Sequence, residues 1–136
     1  MSDDIFRITK DIKRARDLFE IANDRLNNII KVLPKDKYYK ILEEYYEIII
    51  ELITAVMYSE GYKTLSHVKA IEYGYKKNIL TNNQARIVDT LRKIRHGIVY
   101  YGRKIGKEFM INNKEEILMI VQILNKSVKE RISKSN

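Results

Sequence analysis

Apolar residues recur at three- and four-residue steps along most of this chain, the rhythm of an α-helix with one buried face. Over residues 3–33, Ile5, Ile8, Ile12, Ala15, Leu18, Phe19, Ala22, Leu26 and Ile29/Ile30 keep this spacing. Ser2 and the acids after it make a helix start, and Pro34 makes a stop. The second stretch, residues 36–59, is apolar over a wide arc, with Glu43, Glu47 and Glu51 as its one polar stripe. A helix wet only along a narrow line belongs in the middle of a bundle, and Gly61 stands where it would close. A shorter third helix is expected over 64–78, and Thr81-Asn82-Asn83 then offers a cap for a fourth over 82–105. A loop is expected at 110–112, with Asn112 or Asn113 capping a fifth helix whose first turn carries Glu115 and Glu116. Its apolar positions run from Ile117 to Ile132 into a polar tail.

With one proline and five glycines in 136 residues, turns are too few for a sandwich or a barrel. The pattern therefore predicts an all-α fold, an up-and-down bundle of four to five helices, as a single domain over residues 1–136. No internal repeat, low-complexity tract or linker interrupts it.

Composition narrows the chemistry. There is no cysteine and only two histidines, which removes disulfides, thiolate nucleophiles and histidine-rich metal sites, so neither a metal nor a cofactor is expected. A reducing cytoplasmic setting fits that composition. No signal peptide or membrane span is expected, because the longest apolar run, around Ile48 to Ile50, is broken by Glu51. Gly102-x-x-x-Gly106 lacks the Lys-Ser/Thr that would make it a phosphate-binding loop. The formal charge of +8 is unevenly spread. Residues 86–107 hold seven bases and one acid, whereas residues 36–60 hold two bases and six acids. An anionic partner is thus expected near the later segment. The glutamate stripe suits a hard cation or a neighbour's basic helix, but solvation or pairing with lysines is the simpler expectation.

At about 100° per residue, Ile87, Leu91, Ile94, Ile98, Tyr101 and Ile105 share an arc of roughly 80°, which marks the core face of the fourth helix. Away from it lie Arg92, His96, Val99, Tyr100 and Arg103, with Arg95 at the edge of that arc. Arginine forks suit phosphate oxygens, and an imidazole or a phenol beside them exchanges protons. The same residue types also suit a solvated face or a dimer seam.

The run Leu91-Arg92-Lys93-Ile94-Arg95-His96-Gly97-Ile98-Val99-Tyr100-Tyr101-Gly102 resembles the signature helix of the HEPN superfamily, small helical bundles of prokaryotic toxin pairs and RNA-processing systems. That signature is an arginine, usually followed by a polar residue, and a histidine separated from the arginine by four to six residues. Arg95 matches the arginine and His96 the polar residue, while Tyr100 stands in the histidine's place. The resemblance implies a homodimer in which two such helices meet and cut RNA without metal. By that carry-over Arg95 would hold phosphate and His96 and Tyr100 would be the candidates for proton transfer, while the basic face of the same helix adds Arg92, Arg103 and Lys104 as expected binders of RNA or nucleotide phosphate. Tyrosine, with a pKa of about 10, is a poor general base at neutral pH. Binding is therefore expected ahead of ribonuclease activity, and His96, one turn before Tyr100, is the residue placed to substitute. The resemblance also implies, as an alternative, a toxin-like or regulatory partner of a small nucleotidyltransferase. In some such pairs the partner modifies a tyrosine two positions after the motif histidine, where this chain has Gly102. A purely structural oligomerisation module is the third reading.

Overall fold

A strand, not a helix, comes first among residues 4–134, which the computed structural model describes. Strand β1 (Ile5–Arg7) pairs antiparallel with β2 (Tyr62–Thr64) in the register Ile5 to Thr64, Phe6 to Lys63 and Arg7 to Tyr62. The helix expected from residue 3 starts only at α1 (Ile12–Asp24), whose N-cap Asp11 accepts a 2.9 Å bond from the Arg14 N–H. The expected cap at Ser2 lies outside the described residues. Two further bonds, Ile8 N–H to Gly61 O and Asp11 N–H to Tyr58 O, both 2.9 Å, tie the segment between β1 and α1 to the end of the central helix. Long-range pairing thus wins over the local periodicity of Ile5 and Ile8.

α1 runs without a break into a π-helical turn, Arg25–Ile29, and a last short turn, α2 (Ile30–Val32). Leu33 is extended, with ψ 137°, as the residue before Pro34 must be. The central helix α3 (Tyr38–Glu60) buries twelve of its twenty-three residues, which is more than one face can hold. It packs against α1, α4 (His67–Lys76), α5 (Asn82–Tyr101) and α6 (Lys107–Lys134), as its narrow polar stripe predicts. Gly61 ends α3 in the left-handed region, with φ +87°, and a Cβ there would sit 2.9 Å from Ile8 O.

The later helices are set by their caps. Ser66 caps α4 by accepting from Lys69 N–H, and Thr81 and Gln84 form a reciprocal capping box at the start of α5. The loop expected at 110–112 does not form. α6 begins at Lys107, directly after Gly106, and is continuous for 28 residues. Met110 is buried in the core, and Asn113 donates to Phe109 O one turn back, so neither Asn112 nor Asn113 is a cap. Burial of Met110 and Phe109 outweighs the turn preference of an Asn-Asn pair. The result is an all-α bundle with one small two-stranded ribbon. No helix among the described residues is long and apolar enough to cross a membrane.

Gly106 is the tightest joint in this plan. Its φ is +109°, and a Cβ would fall 2.8 Å from Leu42 Cδ1 on α3. Gly106→Ala therefore combines left-handed strain with overpacking and is expected to destabilise by about 2–4 kcal/mol. Gly102→Ala meets no atom within 4 Å and carries only the cost of φ +64°. Urea unfolding of the two variants checks the order: equal midpoints would contradict it.

Candidate functional site

The inward stripe of α5 is Gln84, Val88, Leu91 and Ile98, all buried, with Ile87 and Ile94 half-buried beside them. Arg95, seven positions after Val88, lies only about 20° from it on the wheel. It therefore points into the bundle and not along its polar side. Its Nη2 lies 2.9 Å from Glu47 Oε1 on α3, and its guanidinium sits 5.7 Å from the centre of the Tyr46 ring. Tyr46 is fully buried, and its hydroxyl meets His67 Nδ1 on α4 at 2.8 Å. Glu47, Arg95, Tyr46 and His67 thus form one polar chain across α3, α4 and α5.

Burial raises the Tyr46 phenol pKa well above the usual range, against the pull of Arg95 and Arg92. His67 has an exposed outer side, but its Nδ1 edge faces Tyr46, and desolvation followed by the charge of Arg95 lowers its pKa. Two of the three stripe glutamates, Glu47 and Glu51, are paired with arginines and not with lysines. Glu47 takes Arg95, while Arg25 from the π turn bridges Glu44 at 3.2 Å and Glu51 at 3.0 Å. Burial raises the Glu51 carboxyl pKa despite Arg25, and burial raises that of Glu43 despite Arg95.

The outward side of α5 is aromatic. The His96 ring stacks 4.6 Å from Tyr100 and meets Tyr101 edge-on at 5.7 Å. Tyr100 is 66% and Tyr101 65% exposed, so Tyr101 is not the core residue that its wheel position predicts. Ile105, placed in the same core arc, is 40% exposed. The reason is that the helix ends at Tyr101. Gly102 turns left-handed, Arg103 comes back to lie 5.2 Å from the Tyr101 ring, and Ile105 folds over Gly97.

Arg92 and Lys93 both hold Asp89, at 2.8 and 3.4 Å. Although burial acts the other way, their bonds keep its carboxyl pKa below the usual value. Arg86, Arg103, Lys104 and Lys107 have no acidic partner among the described residues. The unpaired positive charge of this segment is therefore concentrated at its C-terminal end, next to His96, Tyr100 and Tyr101.

Of the residues singled out in the sequence, His96, Tyr100 and Arg103 come together around Tyr101 on one exposed surface, and Lys104, also exposed, follows Arg103 in the chain. Arg92 and Arg95 do not join them as free cations. Tyr46 and the inward role of His67 carry no sequence signal beyond the seven-residue step from Val88 to Arg95, and Glu47 carries only its place in the glutamate stripe. Among the described residues, no group of three or more His, Cys, Asp or Glu side chains is arranged to hold a metal ion. Compared with protein-family models, curated proteins and solved structures, the chain matches none of them.

A lowered histidine pKa makes stability depend on pH with a definite sign. The unfolded chain takes up the proton first, near pH 6.5, so the stability associated with neutral His67 is present above that value and lost as pH falls below it. His67→Gln is expected to flatten the fall in unfolding free energy between pH 7 and pH 5. Proton NMR should place the His67 pKa below that of a free imidazole in the wild type and higher in Arg95→Met. An unchanged His67 pKa in Arg95→Met would show that Arg95 does not act on it.

Proposed function

We propose that this protein binds single-stranded RNA through the C-terminal end of α5. The observation that carries the reading is the exposed cluster of rings, His96, Tyr100 and Tyr101, with Arg103 over Tyr101 and the exposed Lys104 next in the chain. Bases stack on exposed aromatic rings whatever their identity, and nearby cations track the phosphates. The open setting of the two tyrosines suits a polymer laid over a surface better than a small nucleotide, which needs a concave pocket. The HEPN-like motif adds support for RNA as the ligand.

Binding without cleavage is the favoured activity. Arg95, the residue matching the motif arginine, is engaged with Glu47, and Tyr100 is a poor base at neutral pH. Arg95 is then a positioning residue, which anchors α5 so that the next residue, His96, faces outward.

A second reading rests on the same surface. Val99 is 46% and Ile105 40% exposed beside the two tyrosines, an apolar set that suits the seam of a homodimer. Light scattering at micromolar concentration separates the two. A dimer that Tyr100→Glu dissociates, with no RNA affinity in the wild type, would favour the seam.

Fluorescence anisotropy with a labelled oligouridylate tests RNA binding. Tyr100→Ala with Tyr101→Ala is expected to weaken binding by at least about tenfold, since each stacked base contributes roughly 1–3 kcal/mol. Arg103→Gln with Lys104→Gln should lower the slope of log K against log salt by about 1.4, from two contacts of roughly 0.7 each. Affinity and slope that stay at wild-type values in both double variants would overturn the reading. A parallel incubation in chelator, wild type against His96→Ala, checks for metal-independent cleavage.

A further inference from the structure

Adjacent tyrosines on α3 point to different sides of the bundle. Tyr46 faces α4 and α5, and Tyr45 faces a cavity of about 600 Å³ between the end of α2, the start of α3 and the start of α6. The volume lies in the range of small-molecule sites. Its walls are apolar, formed mainly by Ile30, Leu33, Ile41 and Met110. Lys31, Lys35 and Lys114 also line it, and no acidic side chain does.

Tyr45 is only 6% exposed, and its hydroxyl makes no hydrogen bond to any described residue because the oxygen itself opens onto the cavity. The other two buried tyrosines are satisfied, Tyr46 by His67 and Tyr73 by Glu60. The Tyr45 hydroxyl is therefore the one tyrosine donor of the three left free for a molecule in the cavity. Desolvation is the sole cause of the raised Tyr45 pKa, in keeping with a protonated hydroxyl that has no protein partner.

We infer that this cavity binds a single-chain acidic amphiphile, a fatty-acid-like molecule whose apolar tail lies along Ile30, Leu33, Ile41 and Met110 while its anionic head meets Lys31, Lys35 and Lys114. The Tyr45 hydroxyl donates to an oxygen of that head. Lysine suits the role because its apolar stem can line the wall while its ammonium reaches the mouth. The three positive charges select an anion, and the apolar lining selects against a compact hydrophilic one such as free phosphate. The site is separate from the surface proposed for RNA and does not depend on that proposal.

Titration calorimetry with dodecanoate below its micelle concentration tests the inference, with dodecyl phosphate and dodecanol as companion ligands. Both anions are expected to bind at one site, and dodecanol at least about tenfold more weakly. Carboxylate and phosphate heads are distinguished by their relative affinities. Tyr45→Phe, which keeps the ring and its packing, should weaken dodecanoate binding several-fold. Lys31→Gln, Lys35→Gln and Lys114→Gln together should abolish the preference over dodecanol. In methyl-labelled protein the Met110 signal should shift on binding while that of Met57, buried near the C-terminal end of α3, stays in place. RNA affinity should be unchanged in Tyr45→Phe. Absence of dodecanoate binding, binding that leaves the Met110 signal unmoved, equal affinity in both variants, or association with anionic vesicles alone would each overturn it.

Discussion

A helix that is buried on nearly every side and still carries a row of carboxylates sets the terms for the rest of this molecule. α3 must lose water around Leu42, Ile49, Ile53 and Val56 while the carboxyl groups of Glu44, Glu47 and Glu51 stay beside them. A carboxylate in that position needs a cation held close, because an uncompensated buried charge is costly. Two arginines meet the need, Arg25 from the first helical segment and Arg95 from α5, one on each flank. Desolvation consumes much of what such pairs gain, so their chief effect is on geometry. A neighbouring helix that slipped by a turn would leave a charge without a partner. The azimuth of α5 is fixed in this way, since Arg95 faces α3 only when Val88, Leu91 and Ile98 face it too.

That azimuth divides the chemistry of α5 between two sides. Arg95 and His96 are neighbours in the chain, and about 100° of helix separates an inward ion pair from an outward aromatic surface. The inward residue belongs to a chain of polar contacts ending at His67, whose Nδ1 meets a fully buried phenol. The outward residue stacks on Tyr100 and touches Tyr101 where the helix gives way to Gly102. The early end of α5, left-handed at Gly102, is also what brings Arg103 back over Tyr101. Helix termination thereby supplies a guanidinium that a longer helix would have sent elsewhere.

How much of this was legible in the sequence depends on whether the signal was local. Pro34, Gly61 and the Thr81/Gln84 box act within a few residues, and the structure ends or starts its helices beside them. The glutamate stripe correctly placed α3 at the centre, because solvent exposure along a helix is written in its own periodicity. Three-residue strands have no such periodicity, and β1 forms only because β2, more than fifty positions later, offers it hydrogen bonds. The Asn-Asn pair at 112–113 was misleading for the same reason, since the burial of Met110 against distant residues decided the matter. At the site, the aromatic and basic surface was readable from the wheel as far as Tyr100. Tyr101 and Ile105 were misplaced because a wheel assumes that the helix continues. The partners of Arg95 lie on two other helices, so nothing in the motif itself could name them.

The π turn at Arg25–Ile29 bears on how tolerant the first helical segment is to changes in length. Ala22, Leu26 and Ile30 succeed one another at steps of four, and on a regular α-helix each such step drifts by about 40° around the axis. A turn closed by i→i+5 bonds is wider and absorbs that drift, so Leu26 packs on the core and Ile30 reaches the cavity beside Tyr45. The turn therefore works as a phase corrector: it holds one extra residue in the helix without rotating the residues beyond it out of register. Deleting a single residue there would restore a regular helix and need not disturb the two ends, whereas the same deletion one turn earlier or later would turn every downstream side chain by a full position.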